Sequence, residues 1–171
     1  EYKTDKTPGA IVHFESHSDF DYVVSDAHRA YPNRLGRFRR HVVFIKNQCF
    51  IVFDELESHQ PATFEWLLHS YGRIKADGDW VTVTKNGAEL SAQVVWPHSP
   101  NYQLRTSPPD YDGNQIPFLA ISPARKTRSA QFLVGMWPLK SGEKPGSIEA
   151  TYEGSVATIN VERRDRSWTA E

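Results

Sequence analysis

The chain has 171 residues, of which 39% are hydrophobic and 24% charged, and its formal net charge is -1. That length can bury one good core, which argues for a single domain, residues 1 to 171, or a large part of one. The balanced charge excludes a global field directed at nucleic acid or an anionic membrane, and no apolar run approaches the roughly 18 residues of a spanning helix. Cys49 is the only cysteine, so neither an internal disulfide framework nor a thiolate zinc knot can form. It lies in the run Cys49-Phe50-Ile51-Val52-Phe53 and reads as a small buried apolar residue. The opening at Glu1, on a polar stretch with Lys3, Asp5, Lys6 and Pro8, is what an excised or processed fragment would show.

Along the chain, β-branched and aromatic residues recur in short segments separated by Gly, Pro, Asn and Asp, with no long helical-period stretch. Candidate strands are Ala10 to Glu15, Tyr22 to Asp26, Arg37 to Lys46, Cys49 to Leu56, Ala62 to Tyr71 and Trp80 to Thr84. They continue with Glu89 to Trp96, Tyr102 to Thr106, Phe118 to Ser122, Ser129 to Trp137, Ser147 to Thr151 and Val156 to Glu162. About a dozen strands on one short chain predict an all-β fold, an antiparallel sandwich of two packed sheets with little or no helix. Lys46-Asn47-Gln48-Cys49 and Lys85-Asn86-Gly87 predict tight hairpin turns, because Asn and Gly tolerate the positive φ such turns require. Residues 107 to 113 and 141 to 146, rich in Pro and Gly, predict exposed loops.

Alternation sorts the side chains of each strand into two faces. From Arg37 to Lys46, Phe38, Arg40, Val42 and Phe44 share one face, and Arg37, Arg39, His41, Val43 and Ile45 share the other. From Ala62 to Tyr71, Phe64, Trp66 and Leu68 share one face, against Thr63, Glu65, Leu67, His69 and Tyr71. Hairpin pairing brings Asp54 or Glu55 beside the arginines, so a polar patch of Arg, His, Glu and Tyr is expected across neighbouring strands. Its plain account is a solvated, salt-bridged sheet face. Its functional account is a saccharide or interdomain surface, with Arg37, Arg39, His69 and Tyr71 as the candidate substrate-binding residues. A guanidinium can bind carboxylate or sulfate bidentately, and an aromatic ring can stack on a sugar.

Several blocks together resemble one family. They are Asp21-Tyr22-Val23-Val24-Ser25-Asp26, Ala30-Tyr31, Arg37-Phe38-Arg39-Arg40-His41-Val42-Val43-Phe44, Phe50-Ile51-Val52-Phe53-Asp54-Glu55-Leu56 and Phe64-Glu65-Trp66-Leu67-Leu68-His69. In order and spacing they resemble the C-terminal β-sandwich region of heparinase II/III-like polysaccharide lyases, densely from Asp21 to Tyr71 and as a general β pattern beyond. The resemblance implies a bacterial parent enzyme, periplasmic or extracellular, with an N-terminal helical toroid ahead of the sandwich. It implies cleavage of acidic, uronic-acid polysaccharides such as alginate or a glycosaminoglycan by β-elimination. One group neutralises the sugar carboxylate, a base removes the C5 proton and an acid, usually Tyr, protonates the leaving oxygen. In that family Tyr, His and Asn groups of the toroid carry most of the chemistry, and a His-x-His-x-Asp-like segment supplies a catalytic His and part of a zinc site. No His-x-His occurs here, so no catalytic residue and no metal ligand carries over. The expectation is no cofactor in this chain, zinc in the parent, the toroid of the same protein as partner, and no turnover by this chain alone. The alternative is a non-catalytic carbohydrate-binding or architectural β-sandwich.

Competing motifs are weaker. His13, His17, Asp19 and Asp21 share parity and have metal-ligating side chains, yet Ser16, Ser18 and Asp19 read as a plain turn. His28, His59 and His98 lie near loops, while His41 and His69 read as structural histidines. Of the five tryptophans, Trp66 and Trp137 read as core, and Trp80 and Trp96, bordering turns, as fairer sugar-stacking candidates. The run Arg163-Arg164-Asp165-Arg166 reads as a solvated end.

Overall fold

A computed structural model describes residues 9 to 140, 142 to 153, 156 to 163 and 166 to 170. Among these, fourteen strands form: β1 (Ala10–Ser16), β2 (Phe20–Asp26), β3 (Leu35–Ile45), β4 (Cys49–Ala62), β5 (Trp66–His69), β6 (Arg73–Asp77) and β7 (Trp80–Lys85). The remainder are β8 (Ala88–Trp96), β9 (Asn101–Thr106), β10 (Pro117–Ser122), β11 (Thr127–Leu139), β12 (Ser147–Glu153), β13 (Val156–Arg163) and β14 (Arg166–Ala170). One 3-10 turn, His28–Ala30, is the sole helical element among the described residues. The all-β antiparallel reading holds. Both expected turns form with left-handed residues, Asn47 at φ 62° in one and Asn86 and Gly87 at 51° and 80° in the other.

The strands make three sheets rather than two. Eight lie in one sheet, in the order β1-β2-β3-β4-β11-β8-β7-β6, and two three-stranded sheets have the orders β5-β10-β9 and β12-β13-β14. The middle of β11 shows how they stack. Phe132 and Val134 pack with Phe64, Trp66, Leu119 and Ile121 of the β5-β10-β9 side, whereas Leu133 and Trp137 pack with Ile148, Ile159 and Val161 of the β12-β13-β14 sheet. Successive residues of a strand point to opposite faces, so one small sheet covers each face of the large one. That is why Phe132-Leu133-Val134 is an unbroken apolar run, with all three residues at most 1% exposed. Gly135 belongs to the same argument, because a Cβ there would collide with Ile148 and Trp137 where the β12 sheet approaches.

The two small sheets leave the β1-β2-β3 end of the large sheet open. Ile11, Val12 and Phe14 of the edge strand are 71%, 54% and 64% exposed. Two expectations change at this scale. Ala62 to Tyr71 is not one strand, since β4 runs on to Ala62 and β5 begins only at Trp66. Arg163 is not a solvated residue: its side chain is 9% exposed and donates to Gln48, while Arg164 and Asp165 lie outside the described residues.

Candidate functional site

The open end of the large sheet carries a polar network on the face that the β12-β13-β14 sheet partly covers. Pairing places Arg39 opposite Glu55 and His41 opposite Phe53 on β4. On the other side Asp26 lies opposite Arg39, and Val24 opposite His41, on β2. Partners across an antiparallel ladder share a face, so Arg37, Arg39 and His41 point the same way as Tyr22, Asp26 and Glu55. Tyr22 Oη lies 2.8 Å from His41 Nδ1, His41 Nε2 lies 3.3 Å from Glu55 Oε2, and Arg37 donates to the same oxygen at 2.9 Å. These bonds are mutually consistent when the Tyr22 hydroxyl donates to Nδ1 and the Nε2–H donates to Glu55. Burial, reinforced by the Glu15 and Glu55 charges, holds the Tyr22 phenol above its ordinary value and keeps it a donor.

The network widens on both sides. Arg39 Nε lies 3.4 Å from Asp26, whose other oxygen takes the His28 ring at 2.6 Å and the His28 backbone at 3.1 Å. Burial pushes the Asp26 carboxyl up, but the His28 and Arg39 bonds outweigh it and leave it below its ordinary value. On β1, Glu15 receives His17 at 3.1 Å and His13 at 2.6 Å, and these two contacts lower its carboxyl. Beside Arg37, a cavity of about 260 Å³ is bordered by Glu55, Gln131 and Tyr152. Tyr152 in turn lies against Phe53 and Trp96, with ring centroids 6.4 and 6.1 Å away.

The structure divides the four candidate substrate-binding residues into two groups. Arg37 and Arg39 stand together, 38% and 47% exposed, each with guanidinium N–H groups left over for a ligand. His69 lies on the far side of the stack, stacked on Phe118 at 4.9 Å, and Tyr71 lies after β5 beneath the Lys85 ammonium at 5.4 Å. The Tyr and His that adjoin the arginines are instead Tyr22 and His41. The alternation of β3 does put His41 with Arg37 and Arg39; placing Tyr22 there needs the β2–β3 register, for which the sequence has no local signal. The two carboxylates also separate, Glu55 to Arg37 and Asp54 to Arg40 on the opposite face, at 2.7 and 2.6 Å.

The histidine and aspartate motif near the N-terminus does not close. Asp21 points to the other face, held by Ser16 at 2.6 Å and Lys46 at 3.0 Å, because the turn at residues 17 to 19 breaks the parity. Among the described residues no three His, Cys, Asp or Glu side chains are placed to hold a metal ion. No chemical step is therefore routed through a metal held by the described residues. Of the tryptophans, Trp96 is 8% exposed and belongs to the core, not to a sugar platform; Trp80 is half-buried against Trp137 at 5.7 Å.

No family model matches the chain, and no curated protein sequence matches it. Solved structures do. A heparinase III gene product superposes with TM-score 0.76 over 97% of this chain and 28% of its own, at 13% identity. The chain has the fold of that part of the heparinase III structure. A second heparinase III crystal structure matches with TM-score 0.74 and 17% identity, over 95% of this chain and 27% of its own. Heparan sulfate lyase HepC from Pedobacter heparinus matches with TM-score 0.73, also at 17% identity, and with the same coverage. At these identities the likeness is one of fold, and the chain spans just over a quarter of the length of each heparinase structure.

Proposed function

We propose that this chain is the C-terminal β-domain of a heparinase II/III-like lyase, periplasmic or extracellular, that cleaves uronic-acid polysaccharides by β-elimination. The observation that carries this reading is the fold likeness to heparinase III structures along nearly the whole chain. On this reading the acid and base that move the C5 and leaving-group protons belong to a helical toroid outside these residues, and the β-domain contributes a wall of the cleft. Arg37 and Arg39 hold the sugar carboxylate or sulfate there, with Arg37 oriented by Glu55, Glu55 in turn by His41, and the His41 ring by Tyr22. Their ion pairing with Glu55 and Asp26 tempers affinity, since an incoming anion must compete with carboxylates already bonded.

The test is calorimetric titration of the 171-residue chain with alginate, heparan sulfate, hyaluronan and pectate oligosaccharides, with ultraviolet absorbance read for unsaturated product. Saturable, salt-sensitive binding of one uronan, weakened at least tenfold in the Arg37→Ala/Arg39→Ala variant, with no unsaturated product, is expected. Product formation by the chain alone would refute the assignment of catalysis to another domain. Uronan binding that ignores both arginines would refute the assigned surface.

A further inference from the structure

At the far end of β3 from the arginines lies a second cavity, of about 410 Å³ and open to solvent, where the β3–β4 turn meets β14. That volume falls in the range of about 300 to 1,000 Å³ usual for small-molecule sites. Ser18, Asp19, Lys46, Asn47, Gln48 and Trp168 border it. We propose that this cavity binds an uncharged pyranose, stacked on Trp168 and hydrogen-bonded by Asp19, Asn47 and Gln48.

Trp168 combines two roles. It packs against the Ile45 and Cys49 core and also lines the cavity, so its indole is seated rather than free to swing. An indole face so held suits the C–H face of a pyranose, because both are flat and apolar and little side-chain entropy is lost on contact. The polar groups are likewise set. Gln48 takes Arg163 Nη1 on its backbone oxygen at 3.2 Å and on Oε1 at 3.3 Å. This leaves the amide N–H groups as donors for a ligand. Asn47 sits at φ 62°, set by the three-residue turn, residues 46 to 48, that joins β3 to β4.

Charge decides the ligand class. The Lys46 ammonium is already engaged by the Asp21 carboxylate at 3.0 Å and by the His17 carbonyl. The Asp19 backbone oxygen accepts from the Lys46 N–H, while its carboxylate has no side-chain partner among the described residues. The cavity thus offers a free acceptor carboxylate, amide donors and a neutralised cation. Sugar hydroxyls complement that set, and a uronate or sulfated sugar would face Asp19 uncompensated. Eight residues of β3, at about 3.4 Å each, put this cavity roughly 27 Å from Arg37, so it stands apart from the arginine surface and does not depend on the function proposed for it.

The experiment is a nuclear magnetic resonance titration of the whole chain, following the Trp168 indole N–H, with di-N-acetylchitobiose and cellobiose as probes and glucuronate as the charged control. A saturable shift with an uncharged disaccharide is expected, weakened at least tenfold in Trp168→Ala, about fivefold in Asp19→Ala, and under threefold in Trp168→Phe, which keeps a ring against the core. The Arg37→Ala/Arg39→Ala variant should bind these probes as the parent chain does. Absence of a saturable shift with both disaccharides, tighter binding of glucuronate, or undiminished binding in Trp168→Ala would overturn the proposal.

Discussion

Among the described residues, Arg40 and Asp54 form the one ion pair in which a carboxylate is almost wholly enclosed, with side-chain exposures of 42% and 3%. Two charge-assisted bonds, at 2.7 and 2.6 Å, hold the guanidinium across both carboxylate oxygens and raise the Arg40 pKa. Arg40→Met removes the cation and leaves that carboxylate without a partner. Breaking a fully buried pair costs about 3 to 5 kcal/mol, while exposed pairs are worth less than about 1 kcal/mol. With one partner enclosed and the other half open, water can partly replace the guanidinium, and we expect a loss of about 2 to 3 kcal/mol. Urea unfolding followed by tryptophan fluorescence reads this as a midpoint lowered by about 1 to 1.5 M, for a slope near 2 kcal/mol per molar, with the slope unchanged. Asp54→Leu should cost less, because Arg40 can turn its head group to solvent along its own aliphatic stem. The double variant should recover at least half of the Arg40→Met loss, a coupling of about 1 kcal/mol or more. A loss under about 0.5 kcal/mol in Arg40→Met, or strict additivity in the double variant, would refute the reasoning.

Gly135→Ala should destabilise by about 1 to 3 kcal/mol, because the new methyl group overpacks against Ile148 and Trp137; an unchanged urea midpoint would show that the β12 sheet can retreat at no cost. Asp26 has a folded-state pKa below its unfolded value, so its stabilisation is complete above about pH 4 and is lost as pH falls through the lower folded value. Unfolding midpoints measured from about pH 6 down to 2 should therefore fall less steeply in Asp26→Asn, and parallel curves would contradict the assigned partners. Burial pushes the Cys49 thiol up to about 11, so a thiol reagent near neutral pH should label the unfolded chain and not the folded one. Rapid stoichiometric labelling of the folded protein would place Cys49 at the surface.

Local chemistry made much of this legible. Phe64, Trp66 and Leu68 do face the core, and Glu65, Leu67 and His69 face away, because a strand's alternation is decided within the strand itself. β6 was not legible: in Arg-Ile-Lys-Ala-Asp only Ile74 and Ala76 turn inward, and neither is fully buried, too short and weak a pattern to separate from a turn. Trp96 was misplaced for a related reason, since it borders a turn in sequence, but the bulge beside Leu133 rotates the end of β8 toward Phe53.

From the sequence alone follow the all-β class, most strand positions, the two sharp turns, and the common face of Arg37, Arg39 and His41. Tertiary structure alone decided that two small sheets cover opposite faces of a large one, and that Glu55 joins Arg37 while Asp54 joins Arg40. It likewise brought Tyr22 to the arginines and carried His69 and Tyr71 away, and it set Trp168 beside the β3–β4 turn. Alternation has a period of two residues and is written in each segment. Which strands pair, and in what register, depends on many small contacts between residues far apart in sequence, and no single segment carries that sum.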